Sequence, residues 1–505
     1  MRRSSIRILT ATSCLLFGAA AWRLSPLASI ADAQTQSAHV VSSPEPAQSA
    51  QLQPAKATVP SSVTSADLPT LQPGTEMYTA KRGEAIPTVA RHYLGKTSYL
   101  TSSELAEAIR QANHKSDSSN ILKANENLII PGILSAPIVE KSIPVSRDFE
   151  VRAIYLTGVM AASDHGLRII KHWREVGGNA VVFDIKDSDG SVNIPYEHPL
   201  LGKHNVYIHD VPKFVHFLHQ QNMHAIARVA IFRDERMVKE HPELAVQSKQ
   251  FKQAWKENGK LVWTDSSNSK VQDYNIALAK HVAELGADEI QFDYVRFPAE
   301  GDQKDASFAF QTEHPGWQRT DVITNFLKKA YAEIHPTGAL LSLDVFGVMA
   351  WQRQIDLSHT GQDIVGMAKY CDVLSPMIYP SHFFGMDNIA HPGDEPAHFI
   401  GESMDRFELI TKGSGVVIRP WLQAFHWRTK TYSPEYIKVQ VETAKAKGGI
   451  GFLFWNAAND YSKPYAAMPE MKAADAKAES KDKAKYFRGD ELPAPQLHAS
   501  LTPAN

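Results

Sequence analysis

The sequence predicts an α/β protein whose main unit is a (β/α)8 TIM barrel, preceded by a small α+β domain of strand–helix–helix–strand (βααβ) order. Three observations carry this. Residues 149–470 alternate eight short, β-rich apolar segments with helical stretches. Residues 74–133 set two amphipathic helical repeats between two short strands. At 505 residues the chain exceeds one ordinary core and suits two folded units.

Arg2, Arg3 and Arg7 precede the apolar run Ile8 to Trp22, and Ala31-Asp32-Ala33 follows before Gln34. Residues 1–33 therefore read as a secretory signal with a small-x-small cleavage site, and the expected location is secreted, periplasmic or cell envelope. A retained anchor is the alternative, and membrane contact is expected only in that case. The run is short for a span, and Arg23 ends it. Ala11-Thr12-Ser13 lacks the pattern that would lipidate Cys14. Removal of the signal leaves Cys371 as the only cysteine, which excludes an intramolecular disulfide. Residues 34–73 are rich in Ala, Ser, Pro, Gln and Thr and read as a flexible linker, because they cannot bury enough surface to offset ordering entropy.

In the small domain, Tyr78 to Ala80 form a strand. Ile86, Val89, Ala90 and Tyr93 mark a first helix; Leu105, Ala108, Ile109 and Ala112 mark a second, with caps expected at Ser102 and Ser103. Leu128 to Ile130 make the closing strand before Pro131-Gly132. The words YTAKRGEAIPTVARHYL, ELAEAIRQANH and NLIIPG resemble the opening, middle and closing segments of a LysM domain. That resemblance implies a glycan-binding module; a purely structural module is the alternative. Glu84-Ala85, Pro87 and the long link GKTSYLTSS depart from the family pattern near its sugar-contacting loops.

The barrel strands are expected at 151–158, 180–187, 224–231, 289–297, 340–347, 372–380, 416–425 and 449–457. Eight closes a parallel barrel, with an eight-stranded open sheet as the alternative. Gly177-Gly178 and Gly286 offer left-handed stops to the helices before the second and fourth strands. Residues 472–505 are charged, then Pro-containing, without apolar period, and read as a mobile tail.

Lys+Arg 53 against Asp+Glu 55 leaves a net charge of -2 and no field to hold nucleic acid. No HExxH, CxxC, Walker loop or Gly-x-Ser-x-Gly elbow is present, so no cofactor or metal is expected. In a (β/α)8 barrel the site lies at the strands' C-terminal ends. Those ends carry Asp184 and Asp187; Arg233, Asp234 and Glu235; Asp293 with Arg296; Asp344; Ser375, Tyr379 and His382; Trp421 and Gln423; and Trp455 and Asn456. Glycosidic cleavage needs one carboxyl to protonate the leaving oxygen and another to attack or to activate water. Aromatic rings offer flat faces to sugars, and Asn, Gln and Arg bind hydroxyls. On a strand successive side chains alternate, so Asp187 is expected on the face opposite Lys186. Asp234 and Glu235 are expected as loop charges or helix caps.

VVFDIKDSDG, VAIFRDERM, DYNIALAKHVAELGADEIQFDYVRFP, LSLDVFG and CDVLSPMIYPSHF resemble a family of glycoside-hydrolase-type barrels in the superfamily of the α-amylase and α-galactosidase barrels. The resemblance covers about residues 150–460. It implies Asp293 as nucleophile, at the end of the fourth strand, and places Asp344 where the amylase-type acid, usually Glu, stands. Asp184, Asp187, Arg296, Tyr379, His382, Trp421, Gln423, Trp455 and Asn456 are the expected substrate contacts. The alternative for Asp293 is an ion pair with Arg296 or Arg228. The function these features suggest is an exported glycoside hydrolase acting on a polysaccharide, peptidoglycan glycan included, in an open cleft lined by Trp421, Trp455 and Tyr379. A noncatalytic glycan-binding or envelope-assembly protein on the same scaffold is the other reading.

Overall fold

The structure, a computed structural model, describes residues 73–116 and 120–479, with side chains to residue 471. The expected signal segment, nearly all of the linker and most of the tail lie outside the described residues. The chain divides into two units at Pro137/Ile138.

In the first unit β1 (Thr75–Thr79) pairs antiparallel with β2 (Asn127–Pro131), and α1 (Ile86–Tyr93) and α2 (Ser102–Ala112) lie between them in sequence. The helices rest on the ribbon because Ile86, Val89, Ala90, Leu105, Ala106 and Ile109 share one buried core with Leu128 and Ile130. The cap of α2 is Thr101, not Ser102 or Ser103; its hydroxyl accepts the Glu104 N–H at 3.1 Å.

The second unit is a closed barrel of eight parallel strands: β3 (Val151–Leu156), β4 (Ala180–Lys186), β5 (His224–Ala230), β6 (Glu289–Asp293), β7 (Leu340–Phe346), β8 (Val373–Met377), β9 (Trp421–Gln423) and β10 (Gly451–Trp455). Each pairs with the next, and β10 pairs with β3 to close the ring. The strands are buried on both faces, which accounts for their continuous apolar runs. Crossover helices include Asp164–Glu175, capped by Ser163, and Ser269–Glu284, capped by Asn268. Gly177 (φ +109°) and Gly286 (φ +105°) supply the left-handed turns that the sequence indicated.

All eight strands end short of the expected segments, two of them for a visible reason. β6 stops at Asp293 because Tyr294 takes φ +52° and turns the chain out of the sheet. The seventh stave is split: Val417–Ile418 pair with β8, then Arg419-Pro420 intervene before Trp421, because proline has no N–H to give the ladder. The helix Ser462–Glu479 extends into the segment read as tail. Cys371 is buried just before β8.

At the opposite end of the barrel interior, Glu289 binds Arg419 Nη1 at 2.8 and 3.0 Å and His224 Nε2 at 3.1 Å. Burial alone would raise the Glu289 carboxyl, but the Arg419 charge and the His224 bond outweigh it and bring it to about 2. This charged layer closes the floor beneath the site.

Candidate active site

Strand register brings the site together. Phe292 pairs with Leu343, so Asp293 and Asp344, one residue on, occupy equivalent positions on adjacent strands. Asp184 on β4 is in register with Arg228 on β5. Arg228 is the hub: Nη1 donates to Asp184 Oδ1 at 2.5 Å, and Nη2 and Nε donate to Asp293 Oδ2 at 2.6 and 3.2 Å. The partner of Asp293 is thus Arg228 rather than Arg296. The Tyr294 N–H, turned inward by its left-handed backbone, reaches Asp293 Oδ1 at 2.6 Å. A bulky residue at positive φ is strained, and here the strain gives Asp293 a third donor.

The other two carboxyls are held differently. Asp344 Oδ1 accepts Trp421 Nε1 at 2.6 Å and Gln291 Nε2 at 2.8 Å. Its burial, then the neighbouring Asp293 charge, push its carboxyl well above the usual range. Asp184 accepts a bond from the Tyr155 hydroxyl, and burial raises it to about 7 against the pull of Arg228. One permanent cation, Arg228, therefore holds the carboxyls of Asp184 and Asp293, with Asp344 beside Asp293 on the next strand. Asp187, half-buried beyond β4, accepts its neighbour's N–H, from Ser188, at 2.5 Å. Lys186 points outward, to Asp234 at 2.8 Å; alternation alone would put it on the face of Asp184, and the register shift between Asp184 and Lys186 separates the two. Asp234 caps the helix Glu235–Glu240, and Glu235 pairs with Lys239.

The aromatic residues correct the expectation of an open cleft. Trp421, Tyr379 and Trp455 are 1%, 3% and 6% exposed and belong to the core filling the barrel. Trp455 stacks on Tyr155 at 4.1 Å, with the Arg228 guanidinium 5.4 Å from the Trp455 ring. Their inward parity on the closed barrel makes them filling rather than platforms. Two amides are likewise absorbed by the backbone. Asn456 donates to Ala424 O and Asp460 O and accepts the Ala458 N–H. Gln423 accepts from Ser381 N and Oγ and donates to Phe425 O and Trp427 O. Gln423 thereby ties together the loops after β8 and β9. Those loops carry less buried rings: Phe384 is 49% exposed, Phe425 and Trp427 are half-buried, and Arg428 lies 4.4 Å over Trp427 and 5.4 Å from Phe384. His382 sits 5.2 Å from the Trp427 ring, and burial holds it down to about 3, so it is a neutral wall.

A further group was not anticipated. The loop after β5 forms a hairpin at Glu257-Asn258-Gly259-Lys260, and the loop after β6 carries Glu300; Gln247–Ser248 pair with Ala306–Ser307 to knit the two loops together. Asn258-Gly259 at φ +48° and +86° is the signal that could have located this hairpin. Arg296 packs between Trp263 (4.7 Å) and Phe346 (4.3 Å) and has Asp293, Glu257 and Glu300 within electrostatic reach.

Residues 153–461 match the family described as "Putative glycosyl hydrolase domain", and the chain belongs to that family. No curated protein matches the sequence. Among solved structures, a hypothetical protein from Ruminiclostridium thermocellum is 34% identical over 38% of this chain and 97% of its own, with a TM-score of 0.33. The β-galactosidase of the psychrophilic Marinomonas ef1 is 11% identical over 66% and 60%, at 0.49. The spore cortex-lytic enzyme SleL of Bacillus megaterium is 12% identical over 78% and 85%, at 0.39.

Proposed function

We propose that this protein is an exported glycoside hydrolase of envelope or extracellular polysaccharide, with Asp293 as the carboxylate that faces the anomeric carbon. The supporting observation is the convergence of Asp293, Asp344 and Asp184 around Arg228 at the strand ends of a barrel of this family. Arg228 and the Tyr294 N–H orient Asp293 towards the developing cation, and pre-set donors and charges of this kind cost no reorganisation during reaction. Asp344, 2% exposed, lies beside Asp293, and its burial together with the Asp293 charge holds its carboxyl well above the usual range, which disfavours a second negative charge in the pair. Phe384, Phe425 and Trp427 are the proposed sugar platforms, in place of the buried rings, with Gln423 positioning their loops. The βααβ unit is proposed as a LysM-like module that holds the enzyme near its glycan.

Asp293→Asn tests the reading. The variant should fold within about 1 to 2 kcal/mol of wild type, yet lose about three powers of ten in turnover, because an amide can neither attack nor stabilise a cationic carbon. Near wild-type hydrolysis in a reducing-sugar assay would remove Asp293 from the chemistry. The ion pairs of Arg228 with Asp184 and Asp293 favour one other reading, a glycan-binding protein without turnover. Wild-type protein that binds oligosaccharide in calorimetry but releases no product would select it.

A further inference from the structure

Asp344 is poorly placed to protonate a leaving oxygen. It is 2% exposed, and the two N–H bonds to its Oδ1 fix it beneath the mouth. If the site cleaves glycosides, the donor must stand where solvent and substrate arrive, carry a proton at neutral pH, and have an oxygen free to give it.

We propose that Glu300 is this proton donor, presented at the mouth by the Glu257–Lys260 hairpin and the Gly301 turn; this rests on the hydrolase reading above. The Glu300 N–H donates to Glu257 Oε1 at 3.3 Å, and its Oε2 accepts Asn258 Nδ2 at 2.9 Å. Glu257 Oε2 in turn accepts Trp263 Nε1 at 2.7 Å. Both oxygens of Glu257 are therefore occupied, whereas among the described residues no partner engages Glu300 Oε1. Glu257 is the positioning residue and Glu300 the one with a free oxygen. Gly301 has φ +73°, and a Cβ there would stand 2.8 Å from Trp255 Cζ2, so the turn after Glu300 is fixed by the hairpin lobe.

Arg296 joins this pair to the site. Arg296 is 7% exposed; among the described residues its guanidinium makes one hydrogen bond, Nη1 to Phe297 O at 3.0 Å. Asp293 on one side and Glu257 and Glu300 on the other lie within its electrostatic reach. Burial, then the Glu257 charge, raise the Glu300 carboxyl to about 7, against the opposing pulls of Arg296 and the Asn258 bond. Glu300 thus keeps a proton to give near neutrality.

The step balances. The bond between the anomeric carbon and the bridging oxygen breaks, the electron pair leaves with oxygen, and the Glu300 proton joins that oxygen to release an alcohol. Water then supplies the hydroxyl to the carbon, and its other proton restores a carboxyl group.

The experiment compares wild type, Glu300→Gln, Glu257→Gln and Asp344→Asn on oligosaccharides and on 2,4-dinitrophenyl glycosides, whose leaving group needs no proton. Glu300→Gln should lower kcat/KM about 100-fold or more on oligosaccharides and less than about tenfold on the dinitrophenyl substrates. It should also remove the alkaline limb of the pH profile and retain the wild-type melting temperature. Glu257→Gln should shift that limb without producing the leaving-group dependence. Equal losses of Glu300→Gln on both substrates, an unchanged rate on oligosaccharides, or leaving-group dependence in Asp344→Asn instead, would overturn the assignment. Turnover by wild type with any of these patterns spares the hydrolase reading; wild type inert on every substrate overturns that reading and the donor role with it.

Discussion

Asp184 gives the single residue a measurable signature. Its folded-state carboxyl titrates near 7, whereas in the unfolded chain it titrates near 4, so between those values the folded protein holds the extra proton. Stability therefore falls as pH rises through this window. Glu289 works oppositely: its contribution is present above the unfolded value and is lost only as pH falls through about 2. The denaturant midpoint should be highest near pH 5 and decline towards pH 8, with a smaller decline in Asp184→Asn; a flat wild-type midpoint from pH 5 to 8 would contradict this. The candidate carboxylates were legible because each ends a β-rich apolar run in a fold whose strand ends converge. What those side chains touch was not. Arg228 lies mid-strand, and its bonds to Asp184 and Asp293 depend on the register of neighbouring strands separated by about forty and sixty residues. Glu257 and Glu300 lie on irregular loops, where no period in the sequence says which carboxyls meet.

Among the elements, the seam between the last and first strands is sensitive to sequence. Gly451 begins β10 at φ +79°, and an added Cβ would stand 2.1 Å from the carbonyl oxygen of Val151 on β3. Neither backbone can yield without opening the ring. Gly451→Ala should cost about 2 to 4 kcal/mol in equilibrium denaturation; a loss below about 0.5 kcal/mol would show that the seam relaxes freely. All eight strands were legible because burial on both faces writes long apolar runs. Their ends were not. Tyr294 has ordinary strand-forming chemistry, and nothing local announces its left-handed turn, whereas Pro420 did carry a visible reason to interrupt the seventh stave. The same limit explains the aromatic residues. Their places at strand ends marked Trp421 and Trp455 as site residues, but only ring closure decides that they fill the barrel.

For the whole molecule, the two units have separate cores, one around Ile86, Leu105 and Leu128 and another within the barrel. Calorimetry should resolve two unfolding transitions, and only the smaller should shift upward when soluble N-acetylglucosamine oligomers are added. A single transition would show that the units unfold together, and no shift would leave the βααβ unit its fold without the binding role. The lone thiol of the described residues has a different use. Cys371 is 4% exposed at the entrance to β8, and burial pushes its thiol far up, so the reactive thiolate is scarce while the ring is closed. In a background where Cys14 is replaced, the rate at which a thiol reagent labels Cys371 becomes a clock for opening of the barrel wall, readable by mass spectrometry without introducing another cysteine.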